Sequence, residues 1–491
     1  MVSSRLINFV FGFFPISFIL GNFIINLNVL LFCCLGIFQL RSKILKTKLN
    51  FSLKIIFLLF IFIILSTSLN FIQSLILDEY ININSINLIK SIFFFRFFLV
   101  LLIVYLLSEF EIINFKYFLF SAAISPFLIS LDVMYQYFFG HNIIGMTSPY
   151  TTTGLLTHFN TSFFGDETIA GGFIQNFSFF SIFFASYWLR KKNKFFKLLF
   201  LVLIISILAM GIIFSGNRMP LILFLFGLLL ILAFSKELRK IILLSFVCIF
   251  ILVSFIAKND SFTERLYISL YHNASDTLDI FFSYTKNYFI SNNQNAIGIE
   301  KEDEESSFYN LESNSNYITP HARLLLTAID TWKNNKIFGN GIKSFRLDCL
   351  KLEGEEYIRG TRGIKEYKGE YNLQEHILKK RKNRLCSNHP HNYYFEILTE
   401  IGIIGIFLIL IIASIFFGFI FKNYKSLKAH NLDSLFLMAA TISLFLEVFP
   451  IKSTGSIFST GNATYIIIIS SIILSYRKIF EKKILSKNIQ F

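Results

Sequence analysis

The residues best suited to chemistry in this sequence lie in the stretch SNHPHNYYFEILTEIGIIG, residues 387–405. His389 and His391 flank Pro390 there, and an apolar run follows. Histidine exchanges a proton near neutral pH and can serve as a general base. Proline disfavours helix at His389, and Asn392 is a good N-cap, so the stretch predicts a helix that starts directly after His391. The positive end of that helix favours the neutral, basic form of the imidazole.

Two other interpretations of this histidine pair stay open. A His-x-His pair can ligate zinc, although Cys386 alone is a poor third ligand and no carboxylate stands at motif spacing. The pair can also be purely structural. Further along the same run, Gly402 and Gly405 indicate close packing of the helix on a neighbour.

An arginine suited to an anion stands in FSGNRMPLILF, where Arg218 follows a short turn. Gly216 frees the turn, and Pro220 at the start of the next helix has no N–H to leave unpaired. An arginine beside the free N–H groups of a helix N-terminus makes an anion site. The alternative is an arginine that snorkels toward lipid headgroups.

A second arginine, Arg323, lies in ITPHARLLLTAIDTWKNNKIFGNGIKSF, residues 318–345. Thr319 or Pro320 can start a helix there, and we expect FGNG to end it. An apolar stripe indicates which face is buried: Leu324, Ala328 and Trp332. Taken alone, a single arginine on a helix is usually a solvated side chain.

The elements that must position these residues are membrane spans. Of the 491 residues, 54% are hydrophobic and only 16% are charged, whereas soluble proteins are about a quarter charged. Apolar runs reach about 20 residues, enough to cross a bilayer. The net charge of +15 is explained by Lys and Arg in cytoplasmic loops, so we expect a lipid bilayer as partner and no nucleic acid.

We predict an all-α, polytopic membrane protein with about twelve transmembrane helices and both termini in the cytoplasm. With this count, the short basic segments all fall on the cytoplasmic side: 41–48, 190–194, 236–240, 422–428 and 476–483. The second span is short, and an interfacial placement is its alternative. The twelve spans are 6–25, 27–40, 50–69, 90–108, 117–137, 170–189, 196–214, 219–235, 241–257, 394–421, 432–450 and 463–476.

The spans divide the chain into three parts. Residues 1–257 hold helices 1–9, and 394–491 hold helices 10–12 and the cytoplasmic tail. Between them, 258–393 is too long for a plain connection, which predicts a large, mostly helical loop domain on the outer side. Cys349 and Cys386 both lie in that loop, and in an oxidising compartment we expect them to form a disulfide.

Four charged residues interrupt the apolar runs, at a cost of roughly 2.5–3.5 kcal/mol each: Arg96, Asp132, Arg218 and Glu447. The topology places all four in the outer third of the membrane. For Arg96 and Asp132 the ordinary explanation is an ion pair between neighbouring helices. Glu447 has a position near the interface as its ordinary explanation.

Three of these stretches, in this order and on this side of the membrane, resemble the O-antigen ligase and polymerase superfamily: FSGNRMPL, HARLLLTAIDTWKNNKIFGNGIKSF and HPHNYYFEILTEIGIIG. TSFFGDETIAGGF (161–173) and FPIKSTGSIFSTGNATY (449–465) look like further segments of its members. The resemblance runs from about residue 90 to the last span. It implies an enzyme of the bacterial inner membrane that moves a glycan from undecaprenyl diphosphate to an acceptor at the periplasmic face, with neither a metal nor another cofactor.

The resemblance also implies roles for individual residues. Arg218 and Arg323 bind the donor's diphosphate, for which arginine supplies bidentate donors, and His391 is the base. Further substrate contacts are expected from Arg96, Asn392, His389, His321, Asp166 and Glu167, the last two as residues that orient the acceptor. Members of the family often place another arginine before the FFGDE stretch. His158 and Asn160 stand there in this chain, which puts the acceptor side in doubt.

Three functions are compatible with these features. The leading hypothesis is a ligase that joins lipid-linked polysaccharide to lipid A-core, and its close rival is a polymerase that extends a lipid-linked repeat. Both use the same donor chemistry, so the acceptor distinguishes them. A transporter would show repeated halves with broken helices near the midplane, and the sequence shows no such repeat.

Overall fold

The computed structural model describes residues 3–78, 81–148, 159–259, 320–351, 385–427, 431–453 and 455–488. These ranges contain α-helices, two short 3-10 helices and no β-strand. The α-helices are α1 (Ser4–Gly12), α2 (Phe14–Ile19), α3 (Asn22–Leu40), α4 (Lys43–Lys46), α5 (Phe51–Leu77), α6 (Ile81–Phe94), α7 (Arg96–Glu109), α8 (Lys116–Phe139), α9 (Ala170–Trp188), α10 (Lys194–Phe214), α11 (Arg218–Phe234), α12 (Arg239–Asn259), α13 (Pro320–Asn334), α14 (Phe345–Lys351), α15 (Tyr393–Leu427), α16 (Leu432–Glu447) and α17 (Thr460–Asn488).

The multi-pass membrane architecture is confirmed at the level of helices. A helix lies at each of the twelve expected positions. Among the residues that the structure describes, six stretches are both long and apolar enough to cross a membrane: Asn22–Leu40, Phe51–Leu77, Ile81–Glu109, Lys116–Phe139, Lys194–Phe214 and Tyr393–Gly418. Ser4–Ile19 and Arg218–Phe234 are shorter apolar helices. The second predicted span thus has full length, whereas the first is shorter, and the count of twelve stays a prediction.

The core of the bundle is built from phenylalanines. Fully buried rings of α1, α3, α8 and α16 meet around Phe11, which contacts Phe32 at 5.5 Å and Phe118 at 5.4 Å between ring centroids. Phe436 contacts Phe180 at 5.7 Å on the other side of this cluster. Such tilted aromatic pairs add about 0.5–1.5 kcal/mol each beyond the area they bury. The cluster joins helices from both halves of the sequence into one body.

The expected ion pair between Arg96 and Asp132 does not form. The buried carboxylate of Asp132 accepts hydrogen bonds from the Ser162 hydroxyl and from the Ile143 backbone N–H, the latter at 2.9 Å. Arg96 instead donates to the Asn26 side chain at 3.0 Å. Asp132 therefore anchors the connection between α8 and α9, because a buried carboxylate is stabilised by N–H and O–H donors as well as by a cation.

Glu447 is buried inside the protein, with a relative exposure of 1%; its expected position near the membrane interface stays a prediction. Its carboxylate forms an ion pair with Lys452 at 2.5 Å and accepts the Tyr393 hydroxyl at 2.6 Å. Both partners come from the end of the membrane bundle where α15 begins and α16 ends. The buried charge thus holds the turn after α16 against the first residue of α15.

The helix α15 is broken at Gly402, whose backbone lies in the left-handed region with φ 70° and ψ −167°. A Cβ atom there would overlap the carbonyl oxygen of Ile337. The sequence attributed Gly402 to close packing of two helices. Its neighbour is in fact a loop, and glycine is needed both for the backbone conformation and for the contact.

That loop, residues 336–341, supplies the hydrogen bonds that the break removes from α15. In one direction, Asn340 and Gly341 donate their N–H groups to the carbonyls of Thr399 and Glu400, at 3.0 and 2.8 Å. In the other, Ile403 donates to the Lys336 carbonyl at 3.0 Å. Irregular backbone at membrane depth is tolerated where protein groups satisfy its hydrogen bonds. Here the loop and the broken part of α15 satisfy each other's backbone groups.

Substituting Gly402 tests this exchange. We expect Gly402→Ala to lower the thermal midpoint by several degrees, since an alanine at φ 70° and ψ −167° costs about 1–3 kcal/mol and its methyl group must displace Ile337. Gly418→Ala is the matched control, because Gly418 lies in the same helix with nothing within 4 Å of an added Cβ. Fluorescence-detected thermal unfolding of both purified proteins decides; equal midpoints would contradict the role of Gly402.

Candidate active site

The start of α15 shows the cap that the sequence predicts. The Asn392 side-chain oxygen accepts the backbone N–H groups of Tyr394 and Phe395, at 3.0 and 3.3 Å. Its amide donates to the Pro450 carbonyl at 2.7 Å. The N-cap is therefore confirmed, and it also ties α15 to the turn after α16. Since both ends of the amide group are used within the protein, Asn392 is better suited to positioning its neighbour than to binding substrate directly.

His391, directly before this cap, has a left-handed backbone with φ 56°. For a residue other than glycine this conformation is uncommon, and such outliers are found at functional sites more often than elsewhere. The conformation places three histidine rings together. The His391 ring lies 4.3 Å from His389 and 5.9 Å from His321, measured between ring centroids.

His321 belongs to α13. This helix starts at Pro320, one of the two residues that the sequence offers as its start. Two buried residues of its apolar stripe, Leu324 and Ala328, hold the helix in place. The His321 Nδ1 atom lies 3.4 Å from the Ser453 hydroxyl in the turn after α16. The sequence named His321 only as a substrate contact, whereas the structure makes it the link between α13 and His391.

Arg218 is the first residue of α11 and half-buried. The residue before it, Asn217, accepts the Gly171 N–H at 3.1 Å and donates to the Thr168 carbonyl at 3.0 Å. These bonds fix the turn that presents Arg218, and they attach it to the segment that contains Asp166 and Glu167. Both acidic residues are exposed, so they lie beside the arginine turn with their side chains toward solvent.

The positive charge of Arg218 affects the protonation of His321. Surrounding side chains that displace water, and then the guanidinium of Arg218, lower the pKa of His321 below that of an ordinary histidine, although part of the residue is exposed. His321 is therefore neutral at neutral pH. A neutral imidazole next to an arginine can accept a proton or a hydrogen bond, which is what an acid–base site requires.

Arg323 lies two residues after His321 on α13 and is half-buried. One turn further on, the Thr327 hydroxyl donates to the Arg323 carbonyl at 2.9 Å and accepts the Leu385 N–H at 3.1 Å. The chain that leads to His389 is thereby hydrogen-bonded to the helix that carries Arg323. The two arginines and His391 thus lie on elements that meet at one end of the bundle.

Cys349 and Cys386 are joined in the structure, with their Cα atoms 5.7 Å apart. This separation lies within the range of about 4.4–6.8 Å that disulfides adopt. The bond connects α14 to the residue three positions before His389. Together with the Leu385 hydrogen bond, it fixes the approach of the chain to the histidines.

Arg96 lies apart from these contacts, with its guanidinium bonded to Asn26 and 4.7 Å from the centre of the Phe97 ring. Its contacts within α3 and α7 support a structural role rather than the expected contact with substrate. Within the described ranges, no group of three histidine, cysteine or acidic side chains is arranged to hold a metal ion.

Two buried carboxyl groups of α15 were missed by the sequence analysis. Glu396 accepts hydrogen bonds from the Ser456 hydroxyl and the Ile457 N–H, at 2.5 and 2.7 Å. Glu400 accepts the Lys343 N–H at 2.7 Å. Two acidic residues four positions apart in an apolar run are themselves a signal, because a charge within a span marks a functional or structural contact.

Comparison with known proteins agrees with the residues that the geometry assembles. The family model described as O-antigen ligase matches residues 201–410. The resemblance to the O-antigen ligase and polymerase superfamily is thereby confirmed over residues 201–410. The O-antigen ligase match includes Arg218, Arg323 and His391, whereas Arg96 and the acidic residues before α9 precede it. No curated protein sequence matches the chain.

The lowered pKa of His321 predicts a pH dependence. The unfolded chain takes up a proton near pH 6.5 while the folded site resists it, so this histidine contributes stability at neutral pH that is lost as the pH falls. The effect is bounded by about 1.4 kcal/mol per pH unit and is reduced by exposure. We expect His321→Gln to lose less thermal stability than the unaltered protein between pH 7.5 and pH 5.5.

The same measurement on Arg218→Gln isolates the cause. Without the guanidinium, His321 should protonate more readily, and the loss of stability on acidification should also become smaller. If neither variant changes the slope of the midpoint against pH, the electrostatic contact between Arg218 and His321 does not affect the stability of the protein in solution.

Proposed function

We propose that the protein is an O-antigen ligase that transfers a glycan from undecaprenyl diphosphate to lipid A-core at the periplasmic face of the inner membrane. The observation that carries the proposal is the coincidence of two independent findings. The O-antigen ligase match spans Arg218, Arg323 and His391, and Arg218 acts on His321, whose ring contacts that of His391. A diphosphate leaving group and a sugar hydroxyl require a cationic site and a base side by side.

In the proposed reaction, the acceptor hydroxyl attacks the anomeric carbon of the donor glycan. The bond between that carbon and the phosphate oxygen breaks, and both bonding electrons leave with undecaprenyl diphosphate. Arg218 and Arg323 stabilise this charge, for which hydrogen bonds to charged groups are worth about 1.5–3 kcal/mol each. His391 takes the proton of the attacking hydroxyl, a role worth about 10²–10⁴-fold in rate, and returns it to solvent.

The other residues of the site have positioning roles in this reaction. Asn392 fixes the start of α15 behind His391 through its two cap bonds and its bond to Pro450. His389 contacts the His391 ring at 4.3 Å and orients it. Asp166 and Glu167, beside the Arg218 turn, are exposed and can contact the sugar part of the acceptor.

Substitution at three positions tests the assignment. We expect His391→Ala and Arg218→Lys each to reduce transfer at least a hundredfold in purified, folded protein, because a lysine cannot replace the bidentate guanidinium and general-base catalysis contributes about 10²–10⁴-fold. His389→Ala should be milder. The assay is transfer of glycan from undecaprenyl diphosphate to lipid A-core, with and without a chelator, which should have no effect.

Arg190→Lys is the matched control. Arg190 is an exposed arginine whose guanidinium lies over the ring of Tyr187. It should transfer at the rate of the unaltered protein. Full activity of His391→Ala would mean that His391 only precedes a helix cap. In a strain that lacks the protein, complete loss of polymer from the core supports a ligase, and a core capped with a single repeat supports the polymerase instead.

The topology on which the proposal depends has its own test. We expect a cysteine at Lys333, an exposed residue of α13, to react with an impermeant maleimide added to whole cells after the outer membrane is made permeable. A cysteine at Lys425, in the basic segment 422–428, should react only after lysis. Both probes are introduced into a protein in which Cys33, Cys34 and Cys248 have been replaced. Labelling of position 425 but not of position 333 in whole cells would put the site in the cytoplasm.

A further inference from the structure

A second cationic cluster lies at the same end of the bundle, on the other side of the turn after α16. It consists of Lys90 in α6, Lys343 in the loop after α13, and Arg346 in α14. The charges of Lys343 and Arg346 lie close enough to Lys90 to repel its ammonium group. The Arg346 Nε atom donates to the Lys343 carbonyl at 3.2 Å. Neither Lys90 nor Arg346 has a carboxylate within ion-pair distance in the part of the chain that the structure describes.

Several hydrogen bonds fix the conformation of Lys343. Its backbone is left-handed, with φ 61°, and its N–H donates to Glu400 while its ammonium group donates to the Ser456 hydroxyl at 2.6 Å. Ser456 in turn donates to Glu396. Even if both carboxyl groups are ionised, three cations face two anions, so the cluster keeps an excess positive charge.

Two buried polar side chains beside the cluster lack hydrogen-bond partners among the described residues. The Ser344 hydroxyl lies between Lys343 and Arg346 in sequence and is 1% exposed. The Asn87 amide is 2% exposed, and Asn87 is one helical turn from Lys90 on α6. Buried polar groups normally have partners, so these side chains, next to cations that outnumber the neighbouring carboxyl groups, indicate a site for an anionic, hydrogen-bonding group.

Directly next to the cluster lies an apolar cleft. Its lining residues adjoin those of the cluster in sequence or by one turn: Phe94 follows Lys90, Ile397 and Ile401 follow the two glutamates, and Ile457 and Phe458 follow Ser456. The cleft continues along Ile56 and Phe60 of α5 and Ile412 of α15. A cationic cluster near an apolar cleft suits the two parts of a lipid, with the phosphate on the cations and the chain in the cleft.

A second apolar cleft is lined by Tyr393 and Tyr394, which directly follow the histidine site in the chain. More than half of its lining is shared with the first cleft: Ile397, Ile409, Ile412, Phe416, Ile457, Ile466 and Ser470. The two clefts therefore meet, and an apolar chain in the first lies close to the start of α15.

We propose that Lys90, Lys343 and Arg346, with the cleft below them, form a second lipid site that binds the phosphate of a membrane-anchored molecule distinct from the donor. Resting on the proposed function, that molecule is the acceptor, whose lipid phosphate holds its sugar beside His391. The site itself requires only a phosphate and an apolar chain. It can therefore be tested without any transfer reaction.

Binding of phosphatidic acid to the full-length protein in detergent tests the site by native mass spectrometry. Diacylglycerol with the same chains lacks the phosphate, and inorganic phosphate lacks the chains. We expect phosphatidic acid to bind at least tenfold more tightly than either. Lys90→Gln combined with Arg346→Gln should weaken phosphatidic acid binding at least tenfold, because each change removes a charge-assisted contact.

Lys336→Gln is the matched control, since Lys336 is an exposed lysine of the same loop, and its affinity should equal that of the unaltered protein. Equal losses in both variants would mean nonspecific attraction of an anion to a basic protein and would overturn the proposal. So would an unchanged affinity of the double variant. Equal affinities for phosphatidic acid and inorganic phosphate would overturn the lipid assignment.

Transfer kinetics then separate this proposal from the proposed function. If both hold, the double variant should raise the KM for acceptor about tenfold or more while leaving the KM for donor unchanged, and His391→Ala should abolish transfer yet bind phosphatidic acid normally. If the unaltered protein shows no transfer but still binds phosphatidic acid through this cluster, the proposed transferase function is wrong and the lipid site stands. A changed KM for donor alone would assign the cluster to the donor and overturn the proposal.

Discussion

The structure depends on the hydrogen bonds between residues 336–341 and the break in α15 at Gly402. A helix broken within a membrane loses backbone bonds that no water replaces, and here the loop supplies them in both directions. The loop is braced from the other side by α5, where the Ser66 hydroxyl donates to the Phe338 carbonyl at 2.7 Å. Because α13 ends directly before this loop, its position over the start of α15 follows from these bonds. His321 meets His391 as a consequence of backbone pairing between residues 336–341, well after His321, and the stretch around Gly402, well after His391.

The turn after α16 depends on a related constraint, since polar side chains of α15, α16 and the cap residue Asn392 bond to it. Glu447 binds Lys452, Glu396 binds the Ser456 hydroxyl and the Ile457 N–H, and Asn392 binds the Pro450 carbonyl. Removing one partner of such a buried pair leaves an uncompensated charge. Charged groups inside the membrane thus divide into two kinds. Those bonded within the protein shape the end of the bundle, and Arg218 is presented at the first turn of α11, where the proposed function needs a cation for the diphosphate.

The positions of the helices were predictable because long apolar runs and basic loops follow from the bilayer itself. The cap at Asn392 and the start of α13 at Pro320 were predictable because each depends on a few adjacent residues. By contrast, the pairing of Asp132 with Ser162 rather than Arg96 depends on how a loop folds back. The break at Gly402 also escaped the sequence analysis, because glycine in a span is compatible with both packing and kinking. The partner that decides between them, Ile337, is distant in sequence.

The arrangement of Arg218 and His321 couples substrate binding to basicity in the proposed reaction. With the site unliganded, the guanidinium lowers the proton affinity of His321, and the ring of His391 lies 5.9 Å beyond it. A diphosphate bound to the arginine offsets that positive charge, so His321 becomes a better proton acceptor when the donor is in place. The interaction that binds the leaving group in the proposed reaction therefore also sets the basicity of the histidine beside His391.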